Sequence, residues 1–207
     1  MLTHYSTLNI ISRIDFEPDT FTPGDLLWLP HHAKLARAGR KRQTEHLAGR
    51  IAAVHALRLL GEKAVPDIGE QRQPLWPAGL YGSISHSEHT AVAVVSQTPV
   101  GIDIERVFDD ELANSLAQQI ACDDELTVLR KGPLAFALAL TLTFSAKESL
   151  YKAFSANHPA LLHFHHASVL AVDEQQITLN IPILTRTVSL SWFSLDAKTI
   201  LTLFHQP

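Results

Sequence analysis

The chain has 207 residues, 46% hydrophobic and 18% charged, which is enough apolar mass for one core or two small ones. Its formal net charge of −4 excludes a dedicated nucleic-acid binder, which normally carries a basic excess. One cysteine, Cys122, excludes an internal disulfide and fits a reducing cytoplasm.

The opening residues, M-L-T-H-Y-S-T-L-N-I, lack the basic start and long apolar run of a signal peptide. Leu26 to Arg37 has mixed apolar spacing with Pro30 inside it, which predicts two short helical pieces with a break. From Lys41 to Leu60 the pattern is helical. Leu47, Ile51, Val54, His55, Leu57 and Arg58 follow the i, i+3, i+4 rule, and Gly61 is placed to end the helix. Pro66 to Pro77 reads as a surface crossing. Tyr81 to His86 and Thr90 to Ser96 read as a hairpin.

Glu111 to Ile120 and Asp123 to Arg130 read as helices, and Ala135 to Phe154 as a long buried helix with a break near Phe144. The apolar run inside it, Leu134 to Phe144, is far short of the ~20 residues of a spanning helix. H-F-H-H at 163–166 reads as a solvated loop after Pro159, because no matching metal-ligand spacing stands nearby. Strands follow at 168–172, 176–181, 187–194 and 199–205. Each half thus offers a helix and then antiparallel strands. The fold class is α+β, in two similar halves, 1–100 and 101–207, with a site expected at their seam.

Several stretches carry chemistry. V-G-I-D-I-E at 100–105 alternates, so Ile102 and Ile104 are expected in the core, with Asp103 and Glu105 sharing the other face. Two carboxylates on one face repel unless a cation or donors sit between them, and magnesium takes such ligands. An acidic, wet strand face is the plain alternative. In F-S-A-K-E-S-L-Y-K, Glu148 and Lys152 lie at i, i+4, where an ordinary surface ion pair is the alternative. The pair emerges from an apolar run, where charges usually have partners. S-I-S-H-S at 83–87 puts Ser83, Ser85 and Ser87 on one face and His86 on the other; it serves a phosphate or caps a turn. Arg42, His46 and Arg50 form an i, i+4, i+8 stripe, suited to a dianionic phosphate or simply solvated. Gly49 beside it permits close approach of a ligand or another backbone.

In their order, S-I-S-H-S, G-I-D-I-E and F-S-A-K-E-S-L-Y-K-A resemble the 4′-phosphopantetheinyl transferases, of the larger, surfactin-synthetase-activating type. L-L-W-L-P-H, A-G-R-K-R-Q-T-E-H-L-A-G-R and R-Q-P-L-W-P are similar to the branch serving enterobactin-like siderophore synthases. The likeness runs from about Phe16 to about Ala153 and is weak over the final stretch. It implies a pseudo-dimer of two α/β halves with coenzyme A between them. It further implies Asp103, Glu105 and Glu148 as ligands of magnesium, with manganese as a substitute. Ser85, His86 and Asp103 would serve the coenzyme A phosphates, Lys152 the pyrophosphate, and Arg42 and Arg50 the 3′-phosphate. Gln73-Pro74 departs from the family's lysine-proline, leaving Arg72 as the nearest cation.

The resemblance implies transfer of 4′-phosphopantetheine from coenzyme A to a serine of an aryl or peptidyl carrier domain of a nonribosomal peptide synthase. The nucleophile comes from the carrier, and Glu148 or a water on the metal is the base. Glu148 and Lys152 are then the catalytic pair. R-V-F-D-D-E-L exposes Val107 and Phe108 as a candidate docking edge, or packs them on the core. A monomer in the cytoplasm, in contact with a synthase complex at the membrane, is the expected setting. Competing readings are a magnesium-dependent nucleotide or phosphodiester hydrolase and a non-catalytic carrier-binding subunit.

Overall fold

Ile11 to Phe16 buries alternate side chains almost completely, as a strand on a core does. It is β2 (Ile11–Phe16), paired antiparallel with β1 (Thr3–Leu8). Asn9 sits in the left-handed region at φ 53° in the turn between them. This hairpin lies outside the elements predicted above, because β1 is mostly exposed and shows little apolar alternation. The structure is a computed structural model that describes residues 1–154 and 164–206. It divides into two compact units, Met1–Pro99 and Val100–Pro207.

In the first unit, the two expected helical pieces are 3-10 turns, Pro23–Trp28 and His32–Leu35, on either side of Pro30. Helix α1 (Arg40–Leu59) follows. It ends as expected of a glycine-terminated helix. Gly61, at φ 82°, donates its N–H to Arg58 O, and Glu62 N–H reaches back to Leu57 O. The expected surface crossing contains a short ribbon, β3 (Asp67–Ile68) against β4 (Pro74–Leu75). Then come β5 (Tyr81–Ser87) and β6 (Thr90–Ser96). The sheet runs β1-β2-β6-β5. α1 packs on β2, β5 and β6 through small residues, with Ala48, Ala52, Ala53 and Ala56 all buried. A Cβ on Gly49 would stand 2.8 Å from Ile84 Cγ2, so this glycine lets α1 approach β5.

The second unit starts with β7 (Val100–Arg106), followed by α2 (Asp110–Ile120), α3 (Asp123–Lys131) and α4 (Phe136–Phe154). α2 is capped by the Asp109 carboxylate, which accepts the Leu112 N–H at 2.8 Å. α4 is continuous through Phe144, where a break was expected; Thr141 and Thr143 return their hydroxyls to carbonyls four residues back and stay inside the helix. β8 (Ser168–Val172), β9 (Gln176–Ile181), β10 (Arg186–Ser194) and β11 (Thr199–His205) complete an antiparallel sheet of order β7-β11-β10-β9-β8. α4 covers β7 and β11, and its apolar residues join Ile177, Leu179, Leu190 and Phe204 in the core. Phe164–His166 is a single 3-10 turn; Pro159 and His163, part of the histidine-rich stretch, lie outside the described residues. Both units mix helices with antiparallel strands, and the class is α+β.

Candidate active site

Gly101 sets the geometry of the second unit. A Cβ there would run into the backbone carbonyl of Ser149, so only glycine lets β7 lie this close to α4. Ser145 and Ser149, one helical turn apart, fasten the other side of the contact. Their hydroxyls lie 2.9 and 2.8 Å from Thr202 Oγ1, and Ser149 also donates to Thr202 O at 3.1 Å. Thr202 is the cross-strand neighbour of Asp103. The face of β7 that carries Gly101 and Asp103 is therefore the one turned to α4.

This decides against the plain alternative of a wet acidic face. Ile102 and Ile104 are buried as predicted, but the carboxylate face is no wet outer face. Asp103 is 3% exposed, so the strand is closed on both sides. A buried carboxylate needs compensation. Lys152, on α4, supplies it with Nζ 2.6 Å from Asp103 Oδ1, and the same ammonium donates to Ile102 O at 3.3 Å. The lysine of the i, i+4 pair is thus engaged by the strand, while its charge still acts on Glu148.

Glu105 and Glu148 are half-buried beside this pair. Burial pushes the Glu105 carboxyl up to about 7; the charge of Asp103 adds to the rise, Lys152 opposes it, and Glu148 adds again. Burial likewise raises Glu148, with Lys152 opposing and Asp103 assisting. Asp103, Glu105 and Glu148 feel one another's charge, which is what a cation relieves. Hard oxygen donors of this type fit magnesium. The full convergence expected from sequence is not formed. Among the described residues, no group of three or more His, Cys, Asp or Glu side chains is gathered to hold a metal ion. The Lys152 ammonium already holds Asp103 Oδ1.

Sequence reasoning passed over the lysine next to Glu148. Lys147 is buried, pairs with Glu125 at 2.7 Å and donates to Ile120 O at 2.8 Å. Glu125 also accepts the N–H groups of Cys122 and Val169. This pair ties α4 to α3 and β8. Only a buried position separates its role from that of Lys152, and the i, i+4 pattern of surface charges gave no signal of it. Val107 and Phe108, read as a docking edge, are half-buried against the core; Phe108 N–H donates to Thr141 Oγ1 at 3.0 Å and its ring packs on Phe144.

The first unit holds the remaining residues. Ile84 meets α1 at Gly49, so His86, two residues on, shares that side of β5, and its Nδ1 lies 3.8 Å from Glu45 Oε1. Ser85 is buried on the opposite side. The structure therefore brings His86, and not Ser85, to the α1 stripe. Arg42 is exposed near the start of α1. His46 is held neutral, down at about 3, by burial and by the charges of Arg50, His31, Arg42 and His86.

Arg50, the other arginine expected to meet a phosphate, is committed in part to the backbone. It is 5% exposed, its Nε donates to Pro66 O at 2.8 Å and its Nη2 to Asp67 O at 3.2 Å. Two of its five N–H donors are spent holding the β3 ribbon to α1. Burial lowers its guanidinium to about 10, against the pull of Asp67.

Comparison with known families matches both units. Residues 31–96 fit the 4′-phosphopantetheinyl transferase N-terminal domain, and residues 99–203 the 4′-phosphopantetheinyl transferase superfamily. The chain belongs to the 4′-phosphopantetheinyl transferase superfamily, and is an enzyme of that class with coenzyme A as its substrate. Within it, the chain is similar to enterobactin synthase component D of Salmonella typhi, at 50% identity over 92% of this chain and 83% of that one. Enterobactin synthase component D of Escherichia coli K12 is 53% identical over 81% of this chain and 80% of its own length. A 4′-phosphopantetheinyl transferase of Mycobacterium tuberculosis, PptT, is 33% identical over 71% of this chain and 66% of its own. No helix among the described residues is long and apolar enough to cross a membrane.

Proposed function

We propose that this enzyme loads aryl or peptidyl carrier domains of a siderophore synthase of the enterobactin kind, as a member of the larger, surfactin-synthetase-activating type. The observation that carries the reading is the Asp103–Lys152 contact, with Glu105 and Glu148 raised by burial beside it. In this reading the halves 1–100 and 101–207 are pseudo-repeats that divide the work. The first supplies coenzyme A phosphate contacts from Arg42, Ser85 and His86, and the second holds Asp103, Glu105, Glu148 and Lys152. Arg50 supports the first set by fixing the ribbon at Pro66 and Asp67. The enzyme works as a monomer in the cytoplasm, an assignment that rests on the family resemblance and the single cysteine.

The chemistry is attack of a carrier serine Oγ on the β-phosphorus of coenzyme A. A P–O bond forms, the bridging P–O bond breaks, and adenosine 3′,5′-bisphosphate leaves with the bonding pair. Such a transfer depends on positioning and charge neutralisation. Asp103, Glu105 and Glu148 would hold magnesium, or manganese, which when bound neutralises pyrophosphate charge. Glu148 takes the serine proton on its carboxylate. Its burial raises its proton affinity and makes it a better base than an exposed glutamate. The Lys152 ammonium stabilises negative charge gathering on the pyrophosphate.

The test is intact-mass measurement of apo aryl, peptidyl and acyl carrier proteins incubated with the enzyme, coenzyme A and magnesium. A gain of one phosphopantetheine on the aryl or peptidyl carriers is expected. No gain on any carrier overturns the reading, and release of adenosine bisphosphate without a carrier turns it into a hydrolase.

A further inference from the structure

Two imidazoles meet inside the first unit. His31, at the start of the His32–Leu35 turn, is 7% exposed, and its Nε2 lies 2.9 Å from Nε2 of His46 on α1. The rings are almost perpendicular, at 87°. A bond between two imidazole nitrogens holds one proton, so one ring donates and the other accepts. Asp67 on β3 decides which. Its Oδ1 stands 3.5 Å from His31 Nδ1, which favours the proton there and leaves His31 Nε2 bare. His46 must then donate from Nε2 and keep a bare Nδ1. Asp67 is itself anchored, accepting Lys34 Nζ at 2.9 Å.

The surroundings of this pair are cationic. Arg42 and Arg50 on α1 and His86 on β5 act on His46, while Lys34 and His32 from the turn and Arg50 act on His31. Asp67 is the anionic group acting on His31, and Glu45 faces His86. With so much positive charge around it, an added proton has nowhere to be compensated. A dianion placed at the stripe changes that sign.

We propose that Asp67 and His31 are positioning residues that make His46 a proton-coupled anion receptor: a dianionic phosphate monoester bound at the Arg42 stripe draws a proton from solvent onto His46 Nδ1. The imidazolium so formed donates Nδ1–H to the ligand and Nε2–H to His31, while Asp67 holds His31 in the accepting tautomer. The chain Asp67–His31–His46 thus selects a phosphate dianion over a neutral hydroxyl at this end of the ligand, and tightens its hold as pH falls. The inference rests on the reading that the stripe meets the 3′-phosphate of coenzyme A. It also accounts for why His46, half-buried between two arginines, is a histidine held neutral and not a third fixed cation.

Long-range proton–nitrogen NMR of the full chain, with its histidines labelled, reads the charge and tautomer of both rings. Spectra are taken alone, with saturating coenzyme A and with saturating 3′-dephospho-coenzyme A, between pH 6 and 8. The expected result is a neutral Nε2–H tautomer of His46 in the free protein and with 3′-dephospho-coenzyme A, and an imidazolium with coenzyme A. Asp67→Asn, a change at an exposed side chain, should shrink the imidazolium fraction and raise KM for coenzyme A about two- to fivefold, with kcat unchanged. A His46 that stays neutral with coenzyme A bound overturns the proposal while leaving the phosphate contact in place. Equal affinity for the two ligands overturns the phosphate contact itself. A kcat loss in Asp67→Asn with KM unmoved also overturns the positioning role.

Discussion

Lys152 Nζ lies 2.6 Å from Asp103 Oδ1, which joins the C-terminal turn of α4 to the middle of β7 across a long stretch of sequence. The carboxylate is buried and the ammonium is only partly exposed. Removing the lysine leaves a buried charge uncompensated. Lys152→Ala should lose about 1–3 kcal/mol of stability, reduced from the fully buried case by the exposure of the lysine. Urea denaturation measures it. Transfer should fall by at least about a hundredfold. An unchanged urea midpoint would show that solvent already carries the Asp103 charge.

Glu105 gives a pH signature. Its folded-state carboxyl titrates near 7, above its value of 4.5 when unperturbed. Between these values the folded chain binds a proton that the unfolded chain has lost, so stability should fall as pH rises from about 4.5 to about 7. Glu105→Gln should flatten that slope and stabilise the protein at neutral pH. Thermal denaturation across this range in chelator is the measurement. Adding magnesium at pH 6.5 should release protons from the native chain and fewer from Glu105→Gln.

Glu148→Gln keeps the shape of the side chain and removes the base. Carrier modification should drop by about 10²–10⁴-fold, while coenzyme A binding by calorimetry survives. Near-normal transfer in this variant would take Glu148 out of the proton-transfer step.

Arg42 and Arg50 should separate. Arg50→Ala strands the Pro66 and Asp67 carbonyls and should lower the melting temperature, at a cost of about 1–3 kcal/mol. Arg42→Ala, at an exposed site, should leave the melting temperature alone and weaken coenzyme A more than 3′-dephospho-coenzyme A. Equal weakening of both ligands in Arg42→Ala would remove it from the 3′-phosphate.

Gly101→Ala should be costly out of proportion to one methyl group. The new Cβ meets backbone, the Ser149 carbonyl, which cannot rotate away. A loss of about 1–3 kcal/mol is expected, with activity reduced as β7 moves off α4. A tolerant Gly101→Ala would mean that β7 can shift from the Ser149 carbonyl at little cost.

Much of the fold was legible because periodicity is local. The spacing of Leu47, Ile51 and Val54 fixed α1, and Gly61 marked its end. The apolar run before Glu148 identified α4 as buried. β1 escaped because its exposed side chains leave no alternation to read. The extent of α4 was legible, but its continuity through Phe144 was not, because the Thr141 and Thr143 hydroxyls bond to carbonyls four residues back and stay inside the helix.

The sequence by itself determined which groups travel together: Asp103 with Glu105 on one side of a strand, Glu148 with Lys152 on one side of a helix, Arg42 with His46 and Arg50 along another. Those relations follow from strand and helix periods alone. Only the tertiary structure decided which side of β7 meets α4, that Lys152 reaches Asp103, and that Arg50 turns to the carbonyls at Pro66 and Asp67. Periodicity says which residues share a face but not what covers it. The cover is chosen by close packing, here by a glycine and two serines that admit one helix, and by the need of each buried charge for a partner distant in sequence.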